Sequence, residues 1–250
     1  MPLYFIGLGL GNEKDISING LEAIRKCDIV YLENYTSILN ATQEALEKFY
    51  NKKIILARRN LIESDNNEIL ENAKTRNVAL LIAGDPLVAK THIDLFLRGK
   101  KDDIKCTIIH NASIVSAIGA TGLQVYKFGK TTSIPMENEN IETPYDVLKD
   151  NLSLGLHTLF LLDLDPEEEK FMSVNDAIRY LLKVELKRNE GIFSEKTFCI
   201  GCARLGSDSQ IIKAGIAKEM LKFNFGKPVH CLIVPGKLHF MEEEALKLWS

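Results

Sequence analysis

The chain has 250 residues, 46% of them hydrophobic, and a formal net charge of -3 from 31 basic and 34 acidic side chains. That length supports one large domain or two small ones, and the charge balance argues against a surface built to coat nucleic acid. No apolar run reaches the roughly 18 to 20 residues of a membrane span, and the N-terminus lacks the basic start of a signal peptide, so a cytoplasmic protein is expected.

The first element is a strand at 3–6 within "LYFIGLGLGNEKDIS", which runs into Gly7, Gly9 and Gly11. A dinucleotide fingerprint would require glycine at position 12, where Asn12 stands. Glu33 sits where a ribose-binding carboxylate would follow the second strand. In that fold, however, the glycines open the helix, whereas here the helical pattern begins after "NEKDI", at Ser17. Glycine is therefore read as serving another close approach.

Ser17 caps a helix over 17–27 in which Leu21 and Ile24 share an apolar face. Strands at 28–32, 53–56, 78–83 and 104–109 then alternate with helical patterns near 40–50, 66–75 and 90–99. Such units predict a parallel sheet. "LLIAGDPLVAKTH" places Gly84, Asp85 and Pro86 at the end of a buried strand, the edge where open α/β sheets bind ligands. "IIHNASIVSAIGATGL" repeats the arrangement, with a polar turn and a small-residue helix ending at Gly122. Three such strand ends suggest one ligand crevice suited to an adenosine, with no basic residue aimed at phosphate.

"QVYKFGKTT" contains a GKT, but Gln124 stands where a P-loop needs glycine. The second half carries strands at 131–134, 158–163, 197–203 and 229–234, with helical stretches at 174–188 and 238–248. It reads as a second α/β unit, placing the domains at 1–112 and 113–250.

The five cysteines (27, 106, 199, 202 and 231) read as buried free thiols. "CIGC" lies in a strand-like run, where positions three apart face opposite sides, so no zinc or redox pair is expected. The histidines at 92, 110, 157, 230 and 239 show no metal-ligand spacing. Sequons at Asn34, Asn40, Asn111 and Asn151 are chance matches in a chain that is not secreted.

The segments "SINGLEAI", "VYLENYTS", "GDPLVAKTH", "HNASIVSAIGATGLQVYKFGKTTSIP", "HTLFLLDLD", "ARLGSDSQIIKAG" and "PVHCLIVPGKLHFMEEEAL" span nearly the whole chain. In them it resembles the tetrapyrrole methylase superfamily, and within it the diphthine-forming branch. The resemblance implies two α/β domains, an N-terminal parallel sheet and a C-terminal mixed sheet, with the ligand in a cleft between them. It implies S-adenosylmethionine as methyl donor, S-adenosylhomocysteine as product, and a homodimer. The implied acceptor is a histidine of elongation factor 2 bearing a 3-amino-3-carboxypropyl group, whose amine is trimethylated; eukaryotic members also methylate its carboxylate. Matching motif positions give a donor site of Leu10, Asp85, Val88, Ser113, Ile114, Leu162, Leu205 and His230. No residue identifies itself as a general base. The alternatives are a superfamily methylase acting on a tetrapyrrole or ribosomal RNA, and a non-catalytic adenosine-binding scaffold.

Overall fold

The computed structural model describes residues 1–64 and 67–250. Asn66, the first position of the helix expected at 66–75, lies outside them. The chain divides into two compact units, Met1–Val115 and Ser116–Ser250.

The first unit runs β1 (Pro2–Gly7), α1 (Ile18–Lys26), β2 (Ile29–Glu33), α2 (Gln43–Tyr50), β3 (Ile55–Ala57), α3 (Arg59–Glu63), α4 (Glu68–Thr75), β4 (Val78–Ile82), α5 (Ile93–Lys101) and β5 (Lys105–Ile109). Its five strands lie in the order β3-β2-β4-β1-β5 and every pairing is parallel. Alternation along the strands divides two cores. Leu3, Phe5, Tyr31, Val78, Leu80 and Ile82 face one side, packed with Ile69 and Leu70 of α4. Ile6, Val30, Ala79 and Leu81 face the other, with Ile24 of α1 and Leu46 of α2. Both faces of a parallel sheet must be covered in this way, which is why β4 reads as an unbroken apolar run.

Side-chain caps set the helix starts. Ser17 accepts from the Gly20 N–H at 3.1 Å, as the sequence predicts, and Thr42 accepts from Ala45. The short helix α3 was not expected, and β3 begins two residues later than its pattern suggested.

A short helix, α6 (Ile114–Ala117), spans the division between the units. The second unit follows with β6 (Thr132–Ile134), α7 (Thr143–Ser153), β7 (Thr158–Leu162), the hairpin β8 (Leu164–Asp165) and β9 (Lys170–Phe171), α8 (Val174–Arg188), β10 (Phe198–Ala203), β11 (Ile211–Ile216), α9 (Ala217–Met220), β12 (His230–Val234) and α10 (Phe240–Leu246). Its sheet has the order β11-β10-β12-β7-β6 and is mixed, because only β6 and β7 pair in parallel. Tyr145 and Leu148 of α7 and Ile178 and Leu181 of α8 share one core with Phe160 and Leu232 of the strands.

All five cysteines are free and buried. Cys199 joins that core, whereas Cys202 lies on the opposite face of β10 and pairs across the ladder with Cys231. Among the described residues, no group of three metal-ligating side chains comes together and no helix is long and apolar enough to cross a membrane.

Candidate functional site

β4, β1 and β5 are neighbours and parallel, so their C-terminal ends leave the first unit's sheet along one edge. Leu10 follows β1, Asp85 and Val88 follow β4, and Ser113 and Ile114 follow β5. The three loops are braced against one another. Gly9 and Gly84 exchange backbone hydrogen bonds at 3.3 and 2.7 Å, both in the left-handed region at φ +76° and +77°. The Asn111 amide donates to the carbonyls of Gly7 and Asp15 at 2.9 and 3.0 Å.

The resemblance implies that the glycines of the first loop admit the methyl donor, and these contacts correct that expectation. A Cβ on Gly7 would stand 2.6 Å from the Gly84 carbonyl oxygen, and on Gly9 or Gly11 2.8 Å from Asp15. At those three positions glycine admits the chain itself, not a ligand. Gly84 differs: its nearest neighbours on the Cβ side are Leu10 Cδ2 and the Ala112 carbonyl, both 3.9 Å away. The polar stretch before α1 is a 3-10 turn, Glu13–Asp15, capped by Asn12, so no helix opens at the glycines.

Asp85 is buried, at 4% exposure, although it lies at the end of a strand. Its Oδ1 accepts from the Leu87 N–H at 3.0 Å, and its Oδ2 accepts from the Asn111 N–H at 3.2 Å and from His110 Nδ1 at 2.8 Å. Burial opposes its ionisation, but these donors outweigh burial and hold its pKa below the usual value. A carboxylate offers about four acceptor positions, so one remains open.

Beside this edge lies a buried ion pair. Glu33, at the end of β2, accepts from the N–H groups of Tyr35 and Thr36 at 2.7 and 2.5 Å and from Thr36 Oγ1 at 2.7 Å. Lys90 Nζ donates to Thr36 Oγ1 and stands 3.7 Å from Glu33, with side-chain exposures of 6% and 0%. Burial pushes the Lys90 pKa down against the pull of Glu33. Glu33 thus organises its own turn and ties it to the loop that carries Asp85. Lys90 lies within the motif GDPLVAKTH, where nothing in the local sequence signals the burial of a lysine.

In the second unit, Leu162 ends β7, His230 opens β12, and Leu205 follows β10. His230 is opposite Ala203, and the ladder of β12 and β7 runs through Cys231 and Leu161, so all three residues lie at one end of the sheet. Leu162 and Leu205 are buried. His230 Nε2 donates to the Lys227 carbonyl at 2.9 Å, which leaves Nδ1 as the bare nitrogen, buried and without a partner among the described residues. Burial lowers the His230 pKa, keeping the ring neutral.

The other buried ionic group of this unit is complete in itself. Glu242 accepts from Lys127 Nζ, from the N–H groups of Gln124 and His239, and from His157 Nε2. These donors outweigh its burial and hold its pKa at about 2. His157 Nδ1 accepts from the Gly236 N–H at 3.0 Å, so no polar atom of that imidazole is left for a ligand.

The family model of tetrapyrrole (corrin/porphyrin) methylases matches residues 2–220. A diphthine synthase of Methanosarcina mazei is 50% identical, covering 98% of this chain and 94% of its own length. One from Methanococcus maripaludis is 47% identical, covering 98% and 97%. A crystal structure of diphthine synthase superposes with a TM-score of 0.92 at 38% identity, over 100% of this chain and 96% of that one. A crystal structure from Entamoeba histolytica gives the same TM-score at 43% identity, over 99% and 98%.

Proposed function

Because the chain belongs to the tetrapyrrole (corrin/porphyrin) methylase family, we propose that it is an S-adenosylmethionine-dependent methyltransferase of diphthamide biosynthesis. The observation that carries this reading is the likeness, along both whole chains, to proteins named diphthine synthase. Its acceptor is elongation factor 2 carrying the 3-amino-3-carboxypropyl histidine, and its products are the methylated factor and S-adenosylhomocysteine.

The residues present suit that donor. Gly84 lies beside Leu10 and the Ala112 carbonyl without the close contacts that fill the space at Gly7, Gly9 and Gly11, which suits the approach of an adenosine. The open acceptor position on Asp85 suits a ribose hydroxyl or an ammonium. Val88, Ser113 and Ile114 complete the contacts of the first unit. In the second, Leu162 and Leu205 supply apolar surface, and the bare Nδ1 of His230 accepts from a ligand N–H or O–H.

When bound, S-adenosylmethionine supplies an already activated methyl group. The protein's task is then alignment and exclusion of water, which braced loops perform and flexible ones do not. Each amine methylation requires a neutral amine, whereas methylation of the carboxylate, as in diphthine methyl ester formation, requires no base. We further propose a cytoplasmic homodimer. Tyr126, Phe240 and Met241 expose apolar surface, and Gln124 and Lys127 hold their segment against Glu242 at the start of α10.

The test combines calorimetric titration of S-adenosylmethionine with mass spectrometry of elongation factor 2 after turnover. Added methyl units on the one modified histidine are expected, three or four in number, and none on factor lacking the aminocarboxypropyl group. Turnover on a tetrapyrrole or ribosomal RNA instead, or donor binding without any turnover, would overturn the assignment.

A further inference from the structure

The ligand-bearing edge of the first unit carries an imidazole that the donor contacts do not use. His110 directly follows β5, just ahead of Ser113 and Ile114 in the same loop. Its Nδ1 lies 2.8 Å from Asp85 Oδ2, and its side chain is 70% exposed. An ionised carboxylate only accepts hydrogen bonds, so Nδ1 carries the proton and Nε2 is the bare nitrogen. Among the described residues, Nε2 has no hydrogen-bond partner.

The other contacts of the two residues show which one supports the other. Asp85 is buried and accepts from two backbone N–H groups besides, those of Leu87 and Asn111, at 3.0 and 3.2 Å. Those bonds hold its place without the imidazole, and at so exposed a contact water would serve it as well. His110 gains more. The next residue pins its backbone, because the Asn111 amide bonds the carbonyls of Gly7 and Asp15. Its ring is turned by a carboxylate whose donors keep it ionised. Among the described residues, Asp85 is the charged group paired with His110; Asp15 turns its own carboxylate to the Gly11 N–H at 2.7 Å. An imidazole fixed in one tautomer by a carboxylate, with its other nitrogen bare on an exposed ring, is the arrangement of a general base and its orienting partner. His110 and Asp85 stand 25 positions apart, so no local pattern pairs them.

The reaction has a use for such a group. The acceptor amine is an ammonium at neutral pH, and each methyl transfer needs its nitrogen lone pair. We propose that His110 is the general base that frees this lone pair, taking a proton at Nε2 before each transfer. The proposal rests on the methyltransferase reading above and deepens it. In each round an N–H bond breaks, its electron pair stays on nitrogen, and the proton bonds to Nε2. The amine then takes the methyl group as the carbon–sulfur bond breaks toward sulfur, giving S-adenosylhomocysteine. The imidazolium keeps its bond to Asp85 and returns its proton to water from the exposed ring. Three rounds release three protons and end at a quaternary ammonium with none left to lose.

His110→Asn is the discriminating variant. The amide nitrogen of asparagine takes the place of Nδ1, so it still donates to Asp85 but offers no base. The full chain is assayed on elongation factor 2 bearing the aminocarboxypropyl group, with methyl units counted by mass spectrometry from about pH 7 to about pH 9. At pH 7 the rate at saturating substrates should fall about 100-fold, the scale of a lost general base. The deficit should shrink by up to about tenfold per pH unit, as rising pH supplies the neutral amine unaided. The Tm should hold, and the Kd for S-adenosylmethionine should stay within about twofold, because the contact with Asp85 is kept. Full activity in His110→Asn, a deficit equal at every pH, or a loss accounted for by weaker donor binding would overturn the base while leaving the methyltransferase reading intact. Absence of turnover by the unsubstituted protein would overturn both.

Discussion

Replacing Asp85 with Asn separates its two roles, because the shape is kept while the charge and one acceptor are lost. If the amide oxygen takes the place of Oδ2, it retains the Asn111 N–H and His110. The amide nitrogen then faces the Leu87 N–H, donor against donor, where Oδ1 now accepts at 3.0 Å. A buried donor left unmatched costs about 1–3 kcal/mol, and a bond demoted from charged to neutral loses about 1 kcal/mol more. The His110 bond adds little, since that side chain is 70% exposed and water replaces its partner. The sum is about 2–4 kcal/mol, or a fall in Tm of about 4–16 °C for a chain of this size.

The same change removes the open acceptor position offered to the donor. A hydrogen bond to a charged group is worth about 1.5–3 kcal/mol, so the affinity for S-adenosylmethionine should fall about 10- to 100-fold. Scanning calorimetry gives the first quantity. Isothermal titration well below both melting temperatures gives the second on folded molecules alone. An unchanged Tm would refute the anchoring of the loops by Asp85. A lowered Tm with unaltered donor affinity would leave it no part in binding the donor.

The Glu33–Lys90 pair invites a double-mutant cycle. At 3.7 Å and an effective dielectric of about 20 the attraction is about 4 kcal/mol. Glu33→Gln and Lys90→Met should therefore each cost about 3–5 kcal/mol in urea unfolding, and the double variant clearly less than their sum; strict additivity would show that the two do not interact. Acid should act through histidines. Burial lowers the folded-state pKa of His92 to about 4 and lowers those of His157 and His230 from the ordinary 6.5. The unfolded chain therefore takes up protons first, so stability is full above pH 6.5 and falls from there toward pH 4. A urea midpoint that stays level from pH 7 to pH 5 would contradict this.

The features that the sequence announced are those encoded by neighbours in the chain. Short apolar runs located the main strands, Ser17 marked the start of α1, and Gly84-Asp85-Pro86 marked the end of β4. What escaped notice depends on distant partners or on weak local patterns. α7 begins at a proline after the polar run "MENENIET", and β11 is a short run directly behind a serine-rich turn, so neither stood out. Lys90 meets Thr36 from 54 positions away, and Asp85 meets Asn111 from 26. No window of local sequence shows that such side chains are buried.

The glycines show why the distinction matters for the chemistry. Gly7 and Gly9 let the loops after β1 and β4 close on one another, and Asn111 and Asp85 bind the loop after β5 to both. Lys90 pins the far end of the β4 loop to the turn at Glu33. At Gly84 the Cβ side meets Leu10 and the Ala112 carbonyl at ordinary contact distance, so that position is less tightly closed than Gly7, Gly9 and Gly11. A displacement at an activated methyl group asks chiefly that donor and acceptor be held in line, and misplacement by about 1 Å is enough to slow it severely. Loops locked by buried carboxylates and close glycine contacts meet that demand. A first-unit edge braced in this way is therefore what this reaction leads one to expect.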